Sequence, residues 1–173
     1  MKYFEDVQVG ETMRFGRYEV TGEEIVEYAR QFDPQPFHLD EEAGRQSLFG
    51  GLVASGWHTG AMFIRMICDG MIPDNATAGA KGFDDLRWIK PVRPGDVLSV
   101  ESVVREKVEG RRPDLGTVKV ESRISNQRGE VVMSLVSLVL YRRRPAAASR
   151  IGGQIDQPGR IRSEPGATTP GAG

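Results

Sequence analysis

The 173-residue chain carries 23 Lys and Arg residues against 24 Asp and Glu residues, so its formal net charge is −1. Charges of both signs are interspersed, which gives no electrostatic basis for binding nucleic acid or an anionic membrane. The single cysteine excludes an internal disulfide, and no Cys/His cluster or C-x-x-C pair predicts a metal site. Residues 1–6 lack the layout of a signal peptide, and no apolar run approaches roughly 18 residues, so we expect a cytoplasmic protein without a membrane partner.

The first predicted helix follows a strand near residues 12–20. Thr21-Gly22-Glu23-Glu24 has the capping-box pattern, in which Thr21 is the N-cap and Glu24 lies three residues further on. Apolar residues then recur at helical spacing, at Ile25, Tyr28, Ala29 and Phe32. Asp33-Pro34 is predicted to end the helix.

The segment after this helix holds a carboxylate and an imidazole at a short, fixed separation. Pro34 and Pro36 fix their own φ angles and favour extended conformations at Asp33 and Gln35, so we predict a stiff loop. Asp33 and His38 on such a loop could hold one water between two groups of different basicity, as general acid/base chemistry requires. The alternative is structural, because Asp before Pro often forms turns and a histidine near an aromatic ring is often only packed.

Two more helices are predicted downstream of this segment. Asp40 is the expected cap of a short helix that ends near Ser47. After a glycine-bearing turn at residues 50–56, residues 57–71 form a nearly continuous apolar run whose only charges are Arg65 and Asp69. This pattern predicts a buried central helix with Ser55 near its N-terminus.

The second half of the chain is predicted to form strands, at residues 86–90, 97–108, 117–125 and 131–141. Together with the N-terminal strand they would make an antiparallel sheet. One long apolar helix and one such sheet imply an α+β domain over residues 1–144, in which the sheet wraps the helix. Residues 145–173 are dominated by small residues, Pro and Arg without periodicity, which predicts a disordered tail.

Two separated motifs resemble those of the MaoC-like dehydratases, the (R)-specific enoyl-CoA hydratase type. The residues that carry the resemblance are Phe32-Asp33-x-x-Pro36-x-His38-x-Asp40, then Ala43, then Phe49-Gly50-Gly51-x-Val53-Ala54-x-Gly56. The similarity spans most of residues 1–142. It implies the hotdog fold, in which a curved antiparallel sheet wraps a long central helix.

The resemblance also implies an activity and a set of site residues. The activity is the reversible hydration of a trans-2-enoyl-CoA, or a related enoyl thioester, to a 3-hydroxyacyl thioester, with neither a cofactor nor a metal. Asp33 and His38 would jointly hold the water, and we expect Asp33 to take its proton while His38 orients it. The backbone N–H of Gly56 would form the oxyanion hole, where the missing Cβ leaves room for the substrate. The remaining pocket residues expected to contact substrate are Ser55, Trp57 and Phe37.

The chain departs from the usual family pattern at three positions. Phe32 and Gln35 replace a glycine and an asparagine that are common in the family, and Ser55 replaces a common histidine. These changes concern substrate preference more than the catalytic pair. His58, the second of two histidines, is expected to be packed or to cap the helix rather than to act in catalysis.

Two other functions remain compatible with the sequence. Hotdog proteins include acyl-CoA thioesterases, which typically place a carboxylate on or near the central helix, but residues 57–67 contain no Asp or Glu. The other function is a non-catalytic acyl-CoA-binding or partner subunit. In each case we expect a homodimer or a multiple of one, because an exposed sheet edge and an open acyl channel need cover.

Overall fold

The computed structural model describes residues 1–145, and within them a five-stranded antiparallel sheet combines with four α-helices. In chain order the elements are β1 (Thr12–Glu19), α1 (Gly22–Phe32), α2 (Pro36–Leu39), α3 (Glu41–Gln46), α4 (Gly56–Gly70), β2 (Thr77–Trp88), β3 (Val97–Glu109), β4 (Leu115–Ser125) and β5 (Val131–Arg142). The predicted tail at residues 145–173 lies, apart from Pro145, outside the described residues. No helix in residues 1–145 is long and apolar enough to cross a membrane.

The sheet has the strand order β1-β3-β4-β5-β2, so β1 and β2 form its edges. Strands β3, β4 and β5 lie where the sequence predicts them. Strand β2 begins at Thr77 instead of residue 86. Its first half contains Gly79 and Gly82 at positive φ, and its register against β5 shifts repeatedly, so the alternation that marks a strand is lost there.

Helix α4 packs one face against this sheet and supplies the centre of the core. Met62, Phe63 and Met66 are buried there with Leu98 of β3. The helix approaches β1 closely at Gly16, where an added Cβ would lie 2.5 Å from the Sδ atom of Met66. The predicted α+β architecture, with one long helix packed on an antiparallel sheet, is confirmed.

The opposite face of α4 is open, which corrects the prediction of a buried central helix. Trp57 is 61% exposed and Ile64 is 43% exposed, and Phe83 on the neighbouring strand β2 is 45% exposed. An apolar pattern indicates that side chains favour burial. It does not specify whether they are covered by their own chain or by another molecule. This apolar face of α4 and β2 is left uncovered by residues 1–145.

The boundaries of α1 and α3 match the capping signals in the sequence. Thr21 Oγ1 accepts a hydrogen bond from the N–H of Glu24 at 3.2 Å, and Asp33 ends α1. Asp40 Oδ1 accepts from the N–H of Ala43 at 2.8 Å at the start of α3. The glutamate half of the predicted capping box is not formed, because the Glu24 carboxylate instead accepts from the hydroxyl of Tyr18.

The stiff loop predicted between α1 and α3 is interrupted by the single helical turn α2. Gln35 is extended, with φ −80° and ψ 141°, as its position before proline predicts. Pro36, however, is the first helical residue, where its fixed φ and missing N–H are well tolerated. His38 therefore projects from a helical turn instead of from extended chain.

Candidate active site

The carboxylate of Asp33 is held at the C-terminal end of α1 by two neutral donors. Ser55 Oγ donates to its Oδ2 at 2.7 Å, and Gln35 Nε2 donates to its Oδ1 at 2.8 Å. The hydrogen bond from Ser55, followed by the one from Gln35, holds the pKa of Asp33 below its ordinary value. Asp33 is therefore a fixed anion and a weaker base than a free carboxylate.

The imidazole of His38 is buried, and one of its nitrogens is committed to the backbone. Nδ1 lies 2.7 Å from the carbonyl oxygen of Val53, which can only accept, so Nδ1 carries the proton and donates. In the neutral ring Nε2 then presents a lone pair. That atom lies 3.5 Å from Asp33 Oδ2, so two acceptors face each other without a direct hydrogen bond.

The start of α4 lies against this pair. Ser55 is the N-cap, and its Oγ accepts from the N–H of Trp57 at 3.2 Å while donating to Asp33. The N–H of Gly56, the first residue of the helix, has no protein acceptor among residues 1–145. Free N–H groups at a helix N-terminus create positive potential, which suits a developing negative charge.

Trp88, the last residue of β2, covers Gly56. Its Nε1 donates to the carbonyl oxygen of Gly56 at 2.8 Å, and a Cβ added at Gly56 would lie 2.5 Å from Cε2 of the indole. We expected the missing Cβ to leave room for substrate. The structure gives a different reason for glycine here, because the space beside its Cα is occupied by Trp88.

These groups line one cleft of about 440 Å³. It brings together all six residues that the sequence singles out, namely Asp33, Phe37, His38, Ser55, Gly56 and Trp57. Sequence reasoning missed its other wall, which the segment at residues 88–92 forms. No local pattern in that segment pointed to the site, because the β2 pairing brings it there from a distance along the chain.

His58 lies outside this cleft, in keeping with the interpretation that it is packed. Its ring stacks on Tyr28 with centroids 4.4 Å apart and an interplanar angle of 6°. Burial lowers the pKa of His58, so the neutral ring is favoured. His38 is therefore the histidine that faces the carboxylate of Asp33.

Sequence comparison identifies the family. The family model described as MaoC like domain matches residues 6–125. The uncharacterized protein YdeM of Bacillus subtilis is 31% identical over 140 residues, covering 80% of this chain and 98% of that protein. The mesaconyl-CoA hydratase of Cereibacter sphaeroides is 34% identical over 152 residues, which is 85% of this chain but only 43% of the length of that relative.

Comparison with solved structures agrees with the family identified from sequence. A MaoC-like dehydratase from Rhodospirillum rubrum matches with a TM-score of 0.77 at 45% identity, over 83% of this chain and 99% of the other. The R-hydratase PhaJ1 of Pseudomonas aeruginosa matches with a TM-score of 0.66 at 24% identity, over 82% and 86% of the two chains, and supports the fold alone. The predicted family and fold are both confirmed: the chain belongs to the MaoC-like dehydratase family and has the hotdog fold.

Proposed function

We propose that this protein is a hydro-lyase that reversibly adds water to a trans-2-enoyl thioester, such as an enoyl-CoA, to give a 3-hydroxyacyl thioester. The observation that carries the proposal is the pair of acceptors, His38 Nε2 and Asp33 Oδ2, 3.5 Å apart beside the free N–H of Gly56. Membership of a dehydratase family and similarity to a protein named as a hydratase support the same reaction class.

The two acceptors suit a water that serves as nucleophile. A water that donates one hydrogen to Asp33 Oδ2 and the other to His38 Nε2 keeps its oxygen lone pairs free. Ser55 and Gln35 already occupy the carboxylate from its other sides, so its orientation is fixed before substrate arrives. Such preorganisation lowers the cost of reaching the reactive geometry.

His38 is the better candidate for the base. The two hydrogen bonds to Asp33 lower its pKa and weaken it as a proton acceptor, whereas Nε2 of His38 presents an uncommitted lone pair. As the water oxygen bonds to Cβ of the enoyl group, one O–H bond breaks and its proton moves to Nε2. The same proton then passes to Cα of the enolate, which completes the addition of water. This assignment reverses the roles expected from sequence, in which Asp33 took the proton.

The carbonyl oxygen of the thioester gains negative charge during this addition. A donor aimed at that oxygen stabilises the enolate more than the ground state, and this difference accelerates the reaction. The Gly56 N–H at the start of α4 is the donor that the cleft offers. The first peptide groups of the helix add positive potential at the same point.

Purified protein incubated with crotonyl-CoA tests the proposal through loss of the absorbance of the conjugated enoyl thioester. We expect Asp33→Asn and His38→Ala each to lower turnover at least about a hundredfold, the usual scale for a lost acid/base group. His58→Gln is the matched control, since it alters a buried histidine outside the cleft and should retain turnover. Near-normal rates in both site variants would refute the assignment. Release of free CoA thiol would instead indicate a thioesterase, and binding without turnover a non-catalytic subunit.

A further inference from the structure

A second cavity adjoins the candidate cleft and shares part of its lining. It measures about 220 Å³ and opens on the apolar face of α4 and β2 that residues 1–145 leave uncovered. Its lining is almost entirely apolar and includes Phe63, Ile64, Phe83, Leu86 and Leu135. The cleft and this cavity share three lining residues, Gly56, Trp57 and Trp88. These three residues therefore lie at the boundary between the two spaces, and the indole of Trp88, which packs on Gly56 there, is called the partition below.

Several contacts fix this partition, although Trp88 is 48% exposed. Its indole N–H is bonded to the Gly56 carbonyl oxygen at 2.8 Å, and its ring fills the space beside the Gly56 Cα. Trp57 packs edge-on against it, with ring centroids 5.2 Å apart. The Trp88 backbone pairs with Met133 of β5. The hydrogen bond and the ring contacts with Gly56 and Trp57 favour this one orientation of the indole.

The partition has a direct consequence for the acyl group. The thioester carbonyl must lie near the Gly56 N–H, and Trp88 packs on that same glycine. A short acyl chain that starts at this point would end within the cleft, whereas a longer one directed toward the apolar cavity would meet the indole of Trp88. Each methylene that entered such a cavity would raise the affinity for the acyl-CoA about fourfold. Long acyl chains that are kept out by the indole would not gain this affinity.

We propose that Trp88 determines specificity by closing the cleft toward the apolar cavity, which restricts the enzyme to short 2-enoyl groups. This proposal rests on the proposed hydratase function. Replacement by alanine joins the two spaces. Replacement by phenylalanine keeps a ring beside Gly56 but deletes the N–H donor and part of the wall. Activity on long acyl chains should therefore increase most in Trp88→Ala and less in Trp88→Phe.

The test compares kcat/KM for trans-2-decenoyl-CoA with kcat/KM for crotonyl-CoA. We expect the wild type to favour crotonyl-CoA and Trp88→Ala to raise the decenoyl-to-crotonyl ratio at least about tenfold, with Trp88→Phe intermediate. Phe83→Ala is the matched control, because Phe83 lines the apolar cavity but not the cleft. It enlarges that cavity, leaves the partition intact and should not change the ratio. Thermal unfolding and light scattering establish that the variants share the fold and assembly of the wild type.

An unchanged ratio in Trp88→Ala, an equal rise in Phe83→Ala, or a wild-type preference for decenoyl-CoA would each overturn the proposal. Wild-type turnover of crotonyl-CoA is measured separately, and its absence refutes the hydratase function instead. Calorimetric binding of decanoyl-CoA and butyryl-CoA gives the same chain-length ratio without any turnover. The partition is therefore tested whether or not the reaction is hydration.

Discussion

Replacing Ser55 by alanine should separate the capping of α4 by its hydroxyl group from the proposed positioning of Asp33 by the same group. Ser55 Oγ accepts from the N–H of Trp57 as the cap of α4 and donates to Asp33 Oδ2 at 2.7 Å. Loss of an N-cap costs about 1 kcal/mol, which in a chain of this size lowers the thermal midpoint by about 2–4 °C. Loss of a hydrogen bond to a charged group is worth about 1.5–3 kcal/mol, which would lower kcat/KM about tenfold to a hundredfold if it is fully expressed in the transition state.

The matched control is Thr21→Ala, which removes the cap of α1, whose Oγ1 accepts from Glu24 N–H at 3.2 Å. Thr21 does not line the cleft, so this variant should lose a similar amount of stability and keep its activity. Both Ser55→Ala and Thr21→Ala lose one helix cap, so the stability lost with the cap is similar in the two variants. Any further loss in Ser55→Ala then belongs to the bond with Asp33.

The pH dependence gives the decisive measurement. Ser55 is the main cause of the lowered pKa of Asp33, so its removal should raise that pKa and move the acidic limb of the kcat/KM profile to higher pH. A lowered folded-state pKa contributes stability above the unfolded-state pKa, and this contribution is lost as pH falls through the folded-state value. The extra instability of Ser55→Ala over Thr21→Ala should therefore shrink in acid. An unchanged acidic limb, together with equal thermal losses in the two variants, would show that Ser55 is only a helix cap.

Two further predictions concern Gly56 and the assembly. The Gly56 variants are made in a Trp88→Ala background, which relieves the clash with an added Cβ. There Gly56→Pro should lose at least about a hundredfold more turnover than Gly56→Ala, because only proline deletes the N–H. Equal rates in the two variants would exclude this N–H as the oxyanion donor. Proline suits the first helical position, and the preceding residue is already extended. We also expect a homodimer or a multiple of one that covers the apolar face of α4 and β2. Light scattering should show that Ile64→Arg lowers the mass of the assembly. Leu48→Arg is the control and should not lower it, because Leu48 is 91% exposed and lies outside this face. A monomeric wild type at micromolar concentration would contradict the expectation.

The features that sequence could predict are those encoded by neighbouring residues. The caps at Thr21 and Asp40 and the stop at Asp33 act within one helical turn, so their signals are local and the boundaries of α1 and α3 followed from them. Asp33 and His38 lie five positions apart in a segment whose two prolines restrict the chain. Their proximity could be inferred without knowing the rest of the fold. Within this segment the helical turn at Pro36 was missed, because proline favours both extended chain and the first position of a helix.

The features that sequence missed depend on contacts between distant residues. Ser55 reaches Asp33 across 22 positions, and Trp88 reaches Gly56 across 32. These separations are closed by the packing of α4 on the sheet and by the pairing of β2 with β5. The residue types alone do not specify either contact. The same limit explains the open face of α4, whose apolar pattern requires cover but does not identify what provides it.

Gly56 shows why this distinction matters for mechanism. The structure places Gly56 in the lining of the cleft, and the absence of its side chain has to be considered separately there from the presence of its N–H. The absent Cβ accommodates Trp88, which lines the cleft, while the N–H has no acceptor within residues 1–145, in the same cleft as Asp33 and His38. A large side chain at this position would displace the indole and disturb the site even if the N–H had no catalytic role. Loss of activity in such a variant therefore cannot identify an oxyanion hole, whereas deleting the N–H after the indole has been removed can.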